Sequence, residues 1–213
     1  MRVARQLSLF GVEAAPPAPA DLEGLLAGPG QVVRMGGTAR VSVVVDELWR
    51  AQVLHAELRT RGLGVTCVST VEEHIGVRTA YTTVLAPLGV AWLRGAVKVP
   101  PPGFGLDGRR LRLWAAAAGH VDTVAGPAGR AERLDRRSAR DAPGFTLRLG
   151  PNDELAWPAV GAALAAIGLP AALLSVRAGG PGYRITGRRR IARLAELLGD
   201  PPAAAPEGAW PAV

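Results

Sequence analysis

The sequence predicts an α+β fold built from two copies of one helix–hairpin–helix–hairpin unit, with helices covering one face of an antiparallel sheet. Three observations lead there. The order of helical and strand-like segments recurs along the chain. Val45-Asp46-Glu47-Leu48-Trp49 and Asn152-Asp153-Glu154-Leu155-Ala156-Trp157 each open the middle helix of a copy. Strand segments alternate apolar and polar side chains, as a sheet with one covered and one open face requires.

Each element has a local reason. Residues 1–20 form a short peptide and a Pro/Ala-rich stretch, expected to be extended and mobile. Asp21 caps a helix that must stop before Gly28-Pro29-Gly30. Residues 31–35 and 38–45, joined by Gly36-Gly37, read as a hairpin. A helix then runs from Asp46 to Thr60, with Leu48, Val53, Leu54 and Leu58 near helical spacing, ended by Gly62. Strands follow at 65–70 and 77–84. The second copy is expected to open with a helix over residues 87–99, stopped by Pro100-Pro101-Pro102. A hairpin centred on Asp107-Gly108 comes next, with 109–116 as its second arm. After an insert over 118–143 come a strand at 144–149, a helix at 152–167, strands at 171–178 and 182–186, and a closing helix at 188–198. The expected organisation is therefore 1–20, a tandem domain at 21–199 with halves near 21–85 and 86–199, and a Pro/Ala-rich tail at 200–213.

The chain has 213 residues, 48% of them hydrophobic, enough for a substantial core. Its net charge is +7 and its sequence pI about 11.0. Residues 1–85 hold eight basic and eight acidic side chains, so the whole surplus lies in 86–213, consistent with an anionic partner. The single cysteine, Cys67, cannot form an internal disulfide and fits a reducing compartment. No run reaches the length of a membrane span, and the expected location is cytoplasmic and nucleoid-associated. His55, His74 and His120 share no metal-ligand spacing with each other or with Cys67, and no cofactor fingerprint is present. The expectation is no metal and no cofactor.

Two resemblances sharpen this. Gln6-Leu7-Ser8-Leu9-Phe10 resembles the peptide with which bacterial replication and repair proteins dock onto the DNA sliding clamp. That implies the DNA polymerase III beta sliding clamp as a partner, with Leu9 and Phe10 filling an apolar pocket and Gln6 fixing the register. Leu22-Glu23-Gly24-Leu25-Leu26-Ala27-Gly28-Pro29-Gly30 resembles the LAGLIDADG motif helix of homing endonucleases. Leu93-Arg94-Gly95-Ala96-Val97-Lys98-Val99-Pro100 resembles it more loosely, with wording nearer the N-terminal domain of the sporulation regulator WhiA.

The second resemblance implies a saddle-shaped antiparallel sheet holding double-stranded DNA on its open face, with the motif helices at the centre. It also implies an acidic residue at the end of each motif helix, the pair holding divalent metal for phosphodiester cleavage. Here those positions carry Pro29 and, in this alignment, Pro100, so cleavage by this route is not expected. Strand alternation places Arg34, Arg110, Arg112, Trp114, Arg148, Arg177 and Arg184 on the open face as DNA contacts. Together these expectations describe a non-catalytic replication or repair accessory protein. Three other readings stay open: a WhiA-like regulator without its own helix-turn-helix, a modulator that blocks the clamp without touching DNA, and a nuclease whose metal ligands lie elsewhere.

Overall fold

The computed structural model describes residues 11–70, 74–122 and 144–211. The clamp-like peptide Gln6–Phe10 and most of the charged insert, including Arg130, Arg133, Arg136, Arg137 and Arg140, lie outside the described residues. No described helix is long and apolar enough to cross a membrane.

A 3-10 turn (Pro19–Leu22) leads into helix α1 (Glu23–Ala27), with the Asp21 carboxylate accepting from the Ala18 amide at 2.9 Å. Pro29 ends the helix, and the Gly30 amide closes onto Leu25 O at 2.8 Å. Strands β1 (Gln31–Met35) and β2 (Thr38–Val45) pair through Gly36-Gly37, whose φ angles of 54° and 80° make the tight turn that glycine alone takes without strain. Helix α2 (Leu48–Thr60) follows, then β3 (Val65–Ser69) and β4 (Ile75–Thr79), completing a sheet of order β1-β2-β4-β3. Helix α3 (Ala86–Trp92) lies across β1 and β2 and closes the first unit.

Here the structure departs from the sequence reading. The expected helix over 87–99 ends at Trp92, and the next residues form a small hairpin, β5 (Leu93–Arg94) with β6 (Val97–Lys98), turning at Gly95 with φ 65°. The second motif helix lies further on. Residues expected as a hairpin arm form helix α4 (Gly108–Ala118), capped by Asp107, whose Oδ1 accepts from the Arg110 amide at 2.9 Å. No residue of α4 is β-branched, and its alanine run favours helix.

From α4 the first unit's order repeats: β7 (Gly119–Asp122), β8 (Gly144–Arg148), α5 (Trp157–Ala166), β9 (Ala172–Leu174), β10 (Gly182–Thr186) and α6 (Arg188–Leu198). The second sheet has order β7-β8-β10-β9, the same arrangement as the first. Helices α1 and α4 pack against each other at the centre, close enough that a Cβ on Gly24 would sit 1.8 Å from Arg110 O and one on Gly28 2.4 Å from Trp114 Cδ1. Leu22, Leu25, Leu26, Leu111, Leu113 and Trp114 are fully buried around this seam.

Residues 11–20 are not the extended tether expected of them. The Val12 amide donates to Leu197 O at 3.0 Å, the Ala14 amide to Gly11 O at 3.0 Å, and Arg109 Nε to Ala15 O. The tail also packs back: Trp210 is 5% exposed and donates to Gly199 O at 3.2 Å.

Candidate nucleic-acid interface

Cross-strand partners share a face, so register separates the covered side of each sheet from the open one. In the first sheet Val32, Ala39, Val41, Val43 and Val77 are buried beneath helices. The opposite face presents Arg40, Ser42 and Val44 on β2, Arg78 on β4, and Thr66 and Val68 on β3, with Ser42 opposite Arg78 and Arg78 opposite Thr66. In the second sheet Phe145 and Leu147 face the core, leaving His120, Asp122, Thr146, Arg148, Arg184 and Thr186 on the open side.

Of the seven residues expected to contact DNA, Arg148 and Arg184 lie on an open face. Arg184 Nε pairs there with Asp122 Oδ2 at 2.5 Å, and Thr146 donates to Asp122 Oδ1 at 2.8 Å. Arg34 stands opposite Ala39, a buried residue, and its Cγ would lie 2.8 Å from a Cβ on Gly89 of α3. It therefore runs along the helical side. Arg177 belongs to a 3-10 turn (Val176–Ala178) after β9 has ended.

Arg110, Arg112 and Trp114 lie on α4, inside the fold. Arg110 pairs with Glu23 at 2.8 Å and with Asp107 at 2.5 Å. Arg112 pairs with Glu57 at 3.1 Å and donates to Leu198 O and Asp200 O, each at 2.7 Å. Trp114 donates to Arg148 O at 2.7 Å. As strand residues they would point outward; on a central helix they turn inward.

Arg40, Arg78 and His120 also lie on open faces, beyond the seven residues expected to contact DNA. The buried alternation Ala39, Val41, Val43, Val45 carried the signal for Arg40, which lies over the Tyr81 ring at 4.8 Å. Arg78 and Arg148 have no carboxylate within ion-pair distance among the described residues.

The corrected second motif helix moves the metal-ligand comparison. The residue before the strand-opening glycine is Pro29 ahead of Gly30 in the first unit and Ala118 ahead of Gly119 in the second, so Pro100 is not the counterpart. Neither position offers an oxygen ligand from its side chain, and the described residues contain no cluster of three His, Cys, Asp or Glu able to hold a metal. A buried cation stands at each helix end instead. Lys98 Nζ, from β6, donates to Gly28 O at 2.9 Å and Gly30 O at 2.7 Å and pairs with Asp153 Oδ2 at 2.8 Å. Gln31 Nε2 also donates to Asp153 Oδ2, at 3.2 Å.

At the other end Arg50, 2% exposed, donates from Nη1 to Ala116 O at 3.2 Å and from Nη2 to Gly119 O at 2.7 Å. Its Nε pairs with Asp46 at 3.2 Å and Glu47 at 3.3 Å, and Nη2 lies 3.5 Å from His120 Nδ1. Burial lowers the Lys98 pKa below the ordinary lysine value, opposed by Asp153. It lowers Arg50 likewise, opposed by Asp46 and Glu47. His120 is held down by burial and then by Arg50 and Arg148, against Asp46 and Glu47. The residues present do not fit a divalent metal at either helix end.

This arrangement of duplicated motif helix and four-stranded antiparallel sheet is the LAGLIDADG-type fold. Among solved structures, the chain is similar to the homing endonuclease I-WcaI bound to its DNA recognition sequence, with 10% identity and a TM-score of 0.55 over 84% of this chain and 78% of that one. It is also similar to the N-terminal LAGLIDADG domain of DUF199/WhiA, with 11% identity and a TM-score of 0.52 over 86% of this chain and 81% of that one. No family model and no curated protein matches the chain.

Proposed function

We propose that this chain binds double-stranded DNA on the open faces of its two sheets without cutting it, and that Gln6–Phe10 recruit it to the bacterial sliding clamp. The observation that carries the DNA reading is the set Arg40, Arg78 and Arg148, spread over both open faces and free of carboxylate partners among the described residues. Such side chains neutralise phosphates and release counterions, which makes affinity fall steeply with salt. Pro29 and Ala118 at the helix ends, with cations closing those ends, support binding without cleavage.

The test is duplex binding by fluorescence anisotropy across a salt series, for the full chain and for Arg40→Ala/Arg78→Ala/Arg148→Ala. Each arginine that contacts a phosphate contributes roughly 1 to the slope of log affinity against log salt, so the triple variant loses roughly 3 units of slope. The full chain leaves duplex intact when magnesium or manganese is added.

The clamp reading rests on the peptide's residues, and the geometry of the described chain is compatible with it. Gly11 and Val12 meet the fold at Gly108 and Leu197, the N-terminal end of α4 and the last turn of α6. Helix α4, about 16 Å long, leads at its other end into β7 of the second sheet. A WhiA-like regulator is the second reading, favoured by the likeness to that LAGLIDADG domain. It predicts one strongly preferred duplex sequence and no dependence on residues 6–10.

A further inference from the structure

The two motif-helix ends are built alike although their parts come from different places. Each gathers backbone carbonyls at the end of the helix (Gly28 and Gly30; Ala116 and Gly119), the first side chain after the glycine (Gln31; His120), and acid from the opposite unit (Asp153; Asp46 with Glu47). Each then receives one buried cation, and the sources of the two cations differ. Arg50 comes from α2, four residues after Asp46. In the second unit the matching stretch Asp153-Glu154-Leu155-Ala156-Trp157 puts Trp157 at Arg50's place, so α5 has no cation to offer. Lys98 supplies it from β6, a hairpin for which the described part of the second unit has no counterpart. Two unrelated routes deliver positive charge to equivalent points, so the charge itself is what the sites demand.

The Lys98 end is the more telling. Its ammonium has three donors and meets three oxygens, at 2.7, 2.8 and 2.9 Å, two carbonyls and one carboxylate. Those are hard oxygen donors of the kind magnesium and calcium take. Helix-end carbonyls carry partial negative charge, and a buried carboxylate beside them is costly unless a cation compensates it. We propose that Lys98 and Arg50 are built-in cations that close the two motif-helix ends in place of divalent metal. The central seam of this fold is thereby complete, and both halves are tied together, without any ion. This goes beyond the DNA-binding reading and does not depend on it, because its test needs no DNA.

The experiment is thermal unfolding of the full chain in EDTA and in millimolar magnesium, calcium or manganese, at matched ionic strength. The unsubstituted chain unfolds at the same temperature in all of them. Lys98→Ala unfolds lower in EDTA and recovers by about 4 °C or more with a divalent ion, which enters the oxygens that the ammonium leaves. Lys98→Ala/Asp153→Asn, lacking the carboxylate, shows no recovery. If Lys98→Ala does not fold in EDTA, the return of a cooperative transition in calcium is the same positive result, and Arg50→Ala provides the parallel reading through Asp46 and Glu47. The proposal is overturned if divalent ions stabilise the unsubstituted chain, or if neither single variant responds to any of them.

Discussion

Glu57 shows how far this molecule uses charge inside its own fold. Its carboxylate accepts from Arg61 at 2.7 Å and from Arg112 at 3.1 Å, and Arg61 in turn holds Asp21 at 2.8 Å. The chain of contacts joins the N-terminal turn, α2, α4 and, through Arg112, the end of α6. Burial alone would raise the Glu57 carboxyl, but the hydrogen bonds from Arg61 and Arg112 outweigh it and hold it below the ordinary 4.5. A depressed carboxyl contributes stability that is present above its unfolded value and is lost as pH falls through its folded value. Melting temperature followed from neutral pH down through 4.5 should therefore fall less steeply in Glu57→Gln than in the unsubstituted chain. The variant itself should be less stable at neutral pH by about 1–3 kcal/mol, since it weakens two charged hydrogen bonds. An acid limb of unchanged steepness would mean that the network does not act through Glu57.

At the scale of elements, α1 and α4 are the contact on which the two units meet, and glycine makes it possible. A Cβ on Gly24 would fall inside the backbone of α4, 1.8 Å from Arg110 O, where no side chain can swing aside. Gly24→Ala should therefore cost about 3 kcal/mol in denaturant unfolding, and an unchanged midpoint would contradict the observed packing.

The same contact explains which elements were legible in the sequence. The Gly36-Gly37 hairpin, α2, β10 and α6 follow from turn chemistry and periodicity because each has one covered and one open side, while β8, buried at all but Arg148, follows from its apolar–polar alternation. Helix α4 has none: Leu111, Leu113, Trp114 and the alanines from 115 to 118 are all buried, so apolar spacing no longer reports helical phase. Its arginines alternate with leucines as a strand's would, but they are consumed by Glu23, Asp107 and Glu57. Arg34 was misplaced for a related reason: β1 is an edge strand whose burial barely alternates, and its face is set by pairing with Ala39. The cations at the helix ends had no sequence signal, since Lys98, Asp153 and Gly28, far apart in the chain, are brought together only by tertiary packing.

For the whole molecule, the first residue of α4, Gly108, lies against the N-terminal segment at Gly11 and Val12, and the last residue of α4 leads into β7 of the second sheet. Clamp binding and DNA binding are predicted to be separable. Leu9→Ala and Phe10→Ala should each weaken clamp binding by roughly 2 kcal/mol or more while leaving the salt dependence of DNA binding unchanged. Clamp affinity that survives both substitutions would contradict recruitment through the peptide. The first unit's open face also carries apolar side chains, with Val44 56% and Val68 49% exposed, whereas the second is mainly polar. The two halves thus offer different chemistry to whatever lies across them.

The arginines of both sheets are proposed to hold duplex DNA by its phosphates and to leave it whole. The measurement that meets it most directly is the salt dependence of duplex binding for the full chain beside Arg40→Ala/Arg78→Ala/Arg148→Ala, with the duplex recovered afterwards. The expected result is steep salt dependence, a slope shallower by roughly 3 in the triple variant, and intact DNA in magnesium. Affinity indifferent to salt, equal slopes for the two proteins, or magnesium-dependent cleavage would contradict it.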